Sequence, residues 1–203
     1  MLSAVNFPAW DSELFSFLNS LHVSWLDPIM VVISSVPVWI PLYLVVSFFI
    51  FKKFRWTGLL YMAAVVLCIV IVDQMSTIIK YAIERPRPCN AIASVHLLET
   101  CGNGYSFISN HASNVFGFAM ITALFFKKRS YTISILIWAF VVSYSRIYLG
   151  KHYPLDIIGG AAFGVFVAGG CYLLLQLYFD LRNFFRLDKV LSILLAKHVQ
   201  KVY

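Results

Sequence analysis

Three short polar clusters interrupt an otherwise apolar chain, and together they hold cations suited to phosphate oxygens, a candidate helix start and two histidines. KYAIERPRP, Lys80 to Pro88, offers three cations within nine residues and carries prolines that stop any helix. Arginine grips phosphate oxygens through two parallel hydrogen bonds, and lysine supplies a mobile point charge. YSFISNHASN, Tyr105 to Asn114, holds Ser109, Asn110 and Ser113, candidates for the N-cap or first turn of a helix. The free N–H groups of such a helix start make an anion site, and His111 would lie in the same turn. SRIYLGKHYPLD, Ser145 to Asp156, places His152 and Asp156 four apart, neighbours if a helix starts by His152, with Pro154 suited to its first turn. A carboxylate that accepts one ring N–H of a histidine fixes its tautomer and leaves the other nitrogen as a nucleophile or base.

Each cluster alone has a plainer reading. Basic residues near span ends snorkel to lipid headgroups. Ser109 and Asn110 would merely cap a helix beside an interfacial His111, and Asp156 would cap the next one beside an interfacial His152. What those readings leave unexplained is the coincidence of cations, a helix start and two histidines on one side of the chain's topology, and ionisable residues at a membrane edge default to a functional reading.

That topology follows from composition. Of 203 residues, 61% are hydrophobic and 12% charged, which argues against a water-soluble core. Crossing a ~30 Å hydrocarbon layer takes about 20 helical residues. Five runs approach that length: Val38–Phe51, Thr57–Ile79, Ala112–Phe126, Tyr131–Tyr144 and Leu155–Phe179. A sixth, Pro28–Val36, is short and abuts Pro37, so it would be a half-span, an interfacial helix or one arm of a kinked span. The fold class expected is therefore all-α: a polytopic membrane helix bundle of five to six transmembrane helices plus an N-terminal interfacial helix.

The net charge of +7 is unevenly spread. Lys52, Lys53 and Arg55 follow the first span, Lys127, Lys128 and Arg129 the third, and Arg182, Arg186, Lys189, Lys197 and Lys201 the fifth. With alternating spans all of these share one side, which the positive-inside tendency makes cytoplasmic. On the other side stand only Lys80, Arg85, Arg87, Arg146 and Lys151. The N-terminal residues carry Asp11 and Glu13 and no basic run, unlike a cleaved signal peptide, and DSELFSFLNSLHVSWLD has the helical spacing of a surface-lying segment. One domain, 1–203, is expected, with an interfacial segment at 1–26, an outer loop carrying the first two clusters at 80–111, the third cluster at 145–156 and a cytoplasmic tail at 180–203.

The clusters together resemble the tripartite signature of the type 2 phosphatidic acid phosphatase superfamily, membrane lipid phosphatases whose site is also seen in vanadium haloperoxidases and bacterial acid phosphatases. Its pattern is K-x6-RP, PSGH and SR-x5-H-x3-D. Lys80 with Arg87-Pro88 matches the first element, and Ser145, Arg146, His152 and Asp156 match the third. In the second, Ser109 and His111 match, while Ile108 replaces Pro and Asn110 replaces Gly; Asn tolerates unusual backbone angles and keeps its N–H.

The resemblance implies that His152 attacks phosphorus and carries the phosphoryl group, Asp156 orients its ring, and His111 protonates the departing oxygen and then activates water. Lys80, Arg87, Ser109, Arg146 and the Asn110 N–H would hold the phosphate oxygens. Phosphoryl transfer asks mainly for positioning and fixed positive charge. Three cations and a helix start supply that without a metal or other cofactor, and no outer carboxylate cluster offers an Mg²⁺ site.

The expected enzyme is a lipid phosphatase at the outer face of a cytoplasmic membrane. Its partners would be the bilayer and a lipid phosphate: undecaprenyl diphosphate, phosphatidylglycerophosphate, phosphatidic acid or the lipid A 1-phosphate. No nucleic-acid partner is expected, and the sequence sets no oligomeric state. A phosphotransferase or a vanadate-dependent haloperoxidase would share the site. An anion transporter or channel is the alternative of another class, and it would carry ionisable groups near the bilayer centre, where this chain has only Asp73. With Ser76 and Thr77, Asp73 makes a polar stripe about 10 Å below Lys80, expected to pair with a cation or hydroxyl. Glu84 would balance Arg85 or Arg87. Cys89 and Cys101 would close a disulfide in an oxidising compartment, with Cys68 and Cys171 packing inside spans. GGAAFG and AGG suit close helix packing, and Trp39 and Tyr43 suit the outer interface.

Overall fold

The structure, a computed structural model, describes the backbone of residues 5–202 and the side chains of residues 5–185. It is all helical among those residues: α1 Ala9–Ser20, α2 Asp27–Ser34, α3 Ile40–Phe54, α4 Gly58–Ile83, α5 Pro88–Ala91, α6 Asn110–Phe126, α7 Arg129–Tyr148 and α8 Pro154–Val202. Arg186, Lys189, Lys197 and Lys201, expected to lie on the cytoplasmic side, fall outside the described side chains.

Proline and C-cap chemistry cut the apolar sequence into these elements. Pro28 sits in the first turn of α2, Pro37 in a 3-10 turn at Val36–Trp39, and Pro41 in the first turn of α3. The short apolar piece is thus a separate helix of eight residues, roughly 12 Å long and well short of a hydrocarbon layer. The chain reverses after α3 at Arg55 and after α6 at Lys127, both with positive φ, and Lys127 takes the left-handed conformation that ends helices although Gly usually adopts it. Three stretches are long and apolar enough to cross a membrane: 36–91, which contains both α3 and α4, 129–148 and 154–185.

The core lies where α3, α4, α6, α7 and α8 meet, around Cys68, Val72, Ala119, Ile121, Ala139 and Ala168. Its tightest seam joins α6 to α8. A Cβ on Gly160 would stand 2.7 Å from the Ser109 carbonyl, and one on Gly164 would stand 2.9 Å from the Gly117 nitrogen, so only glycine permits this approach. The seam clamps the start of α6 to the first turns of α8, and the Ser109 N–H donates to the Asp156 carbonyl at 3.0 Å. At the other end, Lys53 Nζ donates to the last carbonyls of α6, Phe125 and Phe126, at 3.0 Å each. Two of the basic clusters therefore share one end of the bundle, and the three signature clusters share the opposite end.

Trp39 and Tyr43, half-buried at the start of α3, pack against the bundle. Trp39 stacks edge-on with Trp138 at 5.5 Å and donates its indole N–H to the Ile33 carbonyl, and Tyr43 meets Phe118 at 4.9 Å. Helix α1 is more than a surface segment. Asp11, Phe15 and Asn19, four apart in succession, are buried, while Trp10, Leu14, Phe17 and Leu21 are exposed on the helix's other faces. Asn19 Nδ2 donates to the Ile147 and Tyr148 carbonyls and Asp11 accepts the Leu155 N–H, so α1 straps the connection between α7 and α8.

Candidate active site

That connection carries the third cluster. Gly150 makes its turn at φ 74°, packed so closely on Val95 and the His96 carbonyl that a side chain would not fit. Arg146 ends α7, His152 follows the turn, and Asp156 lies in the first turn of α8. The first cluster stands opposite. Lys80, in the last turns of α4, donates to the carbonyls of Tyr105 and Ser106 at 3.2 and 3.1 Å. Glu84 caps α4 in the left-handed conformation, and the following segment, Arg85 to Arg87, is held by Ser106, which donates to the Arg85 and Pro86 carbonyls.

Lys80, Arg87, Asn110, His111, Arg146 and His152 line one cavity of about 250 Å³. Three cations and two imidazoles meet there with no carboxylate among the lining residues, the electrostatics of an anion site. Arg87 Nη1 approaches His152 Nε2 at 3.5 Å, and Arg146 Nη1 donates to Ser34 Oγ. The Arg146 Nε is buried without a partner. Of the expected site residues, Ser109 and Asp156 stand behind the lining, both fully buried. Ser109 is the N-cap of α6 and accepts the Ala112 N–H, and it steadies the helix start rather than opening into the cavity.

His152 is oriented as a nucleophile needs. Its Nδ1 lies 3.4 Å from Asp156 Oδ2, which also accepts the Tyr153 N–H at 2.8 Å. With Nδ1 carrying the proton, Nε2 presents its lone pair toward Arg87 and the cavity. Burial first, and then the charges of Lys80, Arg146 and Arg87, hold the ring's pKa well below the ordinary 6.5, so it is neutral at physiological pH. Acid removes the lone pair only as pH falls through that depressed value. The acid limb that His152 sets in a kcat/KM profile is therefore expected below 6.5; a limb at or above 6.5 would mean the ring is not held neutral.

Asp73 does not pair with a cation. Its Oδ1 accepts the side-chain amides of Asn110 and Asn114, at 3.1 Å each, and Asn110 also donates to Thr77 Oγ1 at 3.1 Å. Asn110 thus replaces the signature's Gly not for backbone freedom, since its φ is not positive, but as a link from the start of α6 to α4. Glu84 balances neither arginine: Arg87 donates to the Gly104 and Lys151 carbonyls, and Arg85 pairs with Asp11 and Asp156. Lys151 is taken up by Glu99 at 2.5 Å. Of the five cations at this end of the bundle three remain for an anion, and neither the diversion of Arg85 nor the arrival of Asp11 from α1 is readable from spacing.

Cys89 and Cys101 are disulfide-bonded, with Cα atoms 5.8 Å apart, and Cys68 and Cys171 are free and buried. The bridge closes the loop that carries Glu99 and leads to the cavity wall at Asn103–Tyr105. Closing a loop with a sequence separation of 12 is worth about 3 kcal/mol against the unfolded chain. Replacing both cysteines by serine is expected to lower Tm in detergent. An unchanged Tm would show that the bridge adds nothing.

The chain also resembles known proteins. A family model described as the PAP2 superfamily matches residues 55–180. The chain is 36% identical over 163 residues to the lipid A 4'-phosphatase of Bacteroides thetaiotaomicron, covering 77% of this chain and 72% of that one. It is 34% identical over 159 residues to the undecaprenyl-diphosphatase of Sulfolobus acidocaldarius, covering 77% and 74%. The crystal structure of Aquifex aeolicus LpxE superposes with a TM-score of 0.64 at 26% identity, over 84% of this chain and 98% of that one.

Proposed function

Because the chain belongs to the PAP2 superfamily, we propose that it is an integral-membrane lipid phosphatase, hydrolysing a phosphomonoester or diphosphate of a membrane lipid. The observation that carries this reading is the single cavity holding Lys80, Arg87 and Arg146 with both His111 and His152 at one end of the apolar bundle. Five helices, α3, α4, α6, α7 and α8, would span the bilayer as one domain. The clusters at Lys52–Arg55 and Lys127–Arg129 would face the cytoplasm, and the cavity would face the periplasm or exterior of a cytoplasmic membrane. Apolar residues of α1, Trp10, Leu14 and Phe17, would rest in the interface above.

In the reaction, Lys80, Arg87, Arg146 and the N–H groups at the start of α6 draw charge from the phosphoryl oxygens. His152 Nε2 forms a bond to phosphorus as the bond to the leaving oxygen breaks, and His111 gives that oxygen its proton. Water then attacks the phosphohistidine while His111 takes a proton from it, releasing inorganic phosphate and restoring Nε2. Asp156 accepts the Nδ1–H hydrogen bond throughout, and the proton stays on the ring. Ser109 contributes by capping α6.

The substrate candidates are lipids whose phosphate would stand at the bilayer edge while the tail stays in it. Relatives act on lipid A at the 4' position and on undecaprenyl diphosphate. Phosphate release by the solubilised protein, with EDTA present, from lipid A phosphates, undecaprenyl diphosphate, phosphatidylglycerophosphate and phosphatidic acid tests the reading. Release from at least one is expected. No release from any of them, by protein that is folded and monodisperse, would overturn it.

A further inference from the structure

The first motif holds an arginine that the phosphate site does not use. Arg85 is buried, and its guanidinium lies between two aromatic rings, 3.7 Å from the Phe7 centroid and 3.9 Å from that of Tyr153. Its two edges meet two carboxylates: Nη1 donates to Asp156 Oδ1 at 2.7 Å and Nη2 to Asp11 Oδ2 at 2.5 Å. Asp11 is fully buried, and its other oxygen accepts the Leu155 N–H at 2.9 Å, one residue from Asp156. A continuous path therefore runs from α1 to the reacting imidazole: Asp11, Arg85, Asp156, His152.

We propose that Asp11 and Arg85 are positioning residues of the reaction, acting through Asp156 on His152, and that α1 is thereby part of the active site. The inference rests on the phosphatase reading above.

Two requirements meet in this chain. A carboxylate held against an imidazole must point one oxygen at Nδ1, and Arg85 does this by holding the opposite oxygen, stacked so that it cannot swing away. The carboxylate must also offer negative charge as the ring becomes positive during attack on phosphorus. A lone guanidinium so close would cancel that charge. Asp11 neutralises Arg85, and the three groups together keep one net negative charge beside His152. A carboxylate on a peripheral helix is buried because the arginine between the two acids needs both.

Other charges also bear on His152. Asp156 faces it from α8, Arg146 from α7, His111 from α6, Lys80 from α4 and Arg87 from the loop that follows. Asp11 reaches it only through Arg85, and this makes Asp11→Asn the informative change. It removes one negative charge and leaves every cavity residue in place.

The experiment compares wild type, Asp11→Asn, Arg85→Lys and Phe15→Leu on the best lipid phosphate, measuring kcat, KM and the acid limb of kcat/KM. Asp11→Asn is expected to lower kcat roughly 10–100-fold, the scale typical of partners that orient a functional imidazole through another group. KM should change little, and the acid limb should move to lower pH because the uncompensated Arg85 disfavours the protonated ring. Arg85→Lys, which keeps charge but cannot span two carboxylates, should not preserve the wild-type rate. Phe15→Leu loosens the same helix without touching charge; it should lower Tm and leave the limb in place. If Asp11→Asn keeps wild-type kcat, or if Phe15→Leu reproduces both its kcat loss and its limb shift, α1 is only a strap and the proposal fails. Should Asp11→Asn not fold, an Arg85→Lys variant with wild-type kcat would refute it equally. A wild-type protein inactive on every lipid phosphate would instead overturn the phosphatase reading.

Discussion

His152→Ala is expected to release no phosphate above background, while His111→Ala retains a slow but measurable rate. The two imidazoles share a cavity, and the proposed reaction gives them different tasks. His152 has a carboxylate behind Nδ1 and an arginine in front of Nε2, the arrangement that offers a lone pair to phosphorus. Without it the covalent route is closed, and the three cations only bind an ester that nothing attacks. In the proposed reaction His111 supplies a proton, and a general acid is worth about 10²–10⁴-fold. That deficit should shrink with an aryl phosphate, whose leaving oxygen departs without protonation. Rapid-quench labelling separates the roles further: His152→Ala should form no acid-labile phosphoenzyme, whereas His111→Ala should form one slowly. Comparable residual rates in the two variants, or a phosphoenzyme in His152→Ala, would reverse the assignment.

Asp156→Asn is expected to cost about 10⁴-fold in kcat, by analogy with the loss of the orienting carboxylate in other histidine-dependent sites. Asp156 Oδ2 serves both His152 Nδ1 and the Tyr153 N–H, and Oδ1 serves Arg85. Asparagine keeps the shape but not the charge. It must turn its NH₂ toward either Arg85 or the pair of donors on the other side, and if it faces the ring it selects the tautomer with the proton on Nε2. KM and competitive inhibition by inorganic phosphate should stay near wild type, because Lys80, Arg87 and Arg146 are not among the hydrogen-bond partners of Asp156. A large rise in KM with kcat preserved would show that Asp156 works in binding. A circular dichroism spectrum and elution volume like those of wild type separate this from unfolding, since removing one partner from a buried ionic network is costly to stability as well.

Much of the site was legible because its signals are local. The four-residue step from His152 to Asp156, the prolines after Arg85 and Arg87, and the capping serine before His111 each act within a turn or two of chain. The structure brings six of the eight expected residues to one cavity and leaves Ser109 and Asp156 directly behind it. Less legible was which cations would face an anion. Arg85 and Arg87 are two residues apart in one motif, yet the first turns to two buried acids and the second to the cavity. Lys151 is likewise claimed by Glu99, which only the disulfide-closed loop brings near. Charge can be counted in a sequence, but its direction depends on which partner another element delivers.

By itself the amino-acid order determined membrane residence, the helical class, the grouping of three clusters at one end and the phosphoryl chemistry they imply. These follow from the length of apolar runs and from residue types at short spacing, which hold whatever the neighbours are. Only the tertiary structure decided that Asn110 ties α6 to Asp73, that Trp39 meets Trp138, and that Asp11 crosses from α1 to Arg85. Each is a contact between parts of the chain far apart in sequence. A buried amide or carboxylate must find a partner wherever packing delivers one, and close packing at glycines such as Gly160 and Gly164 fixes which surfaces can meet.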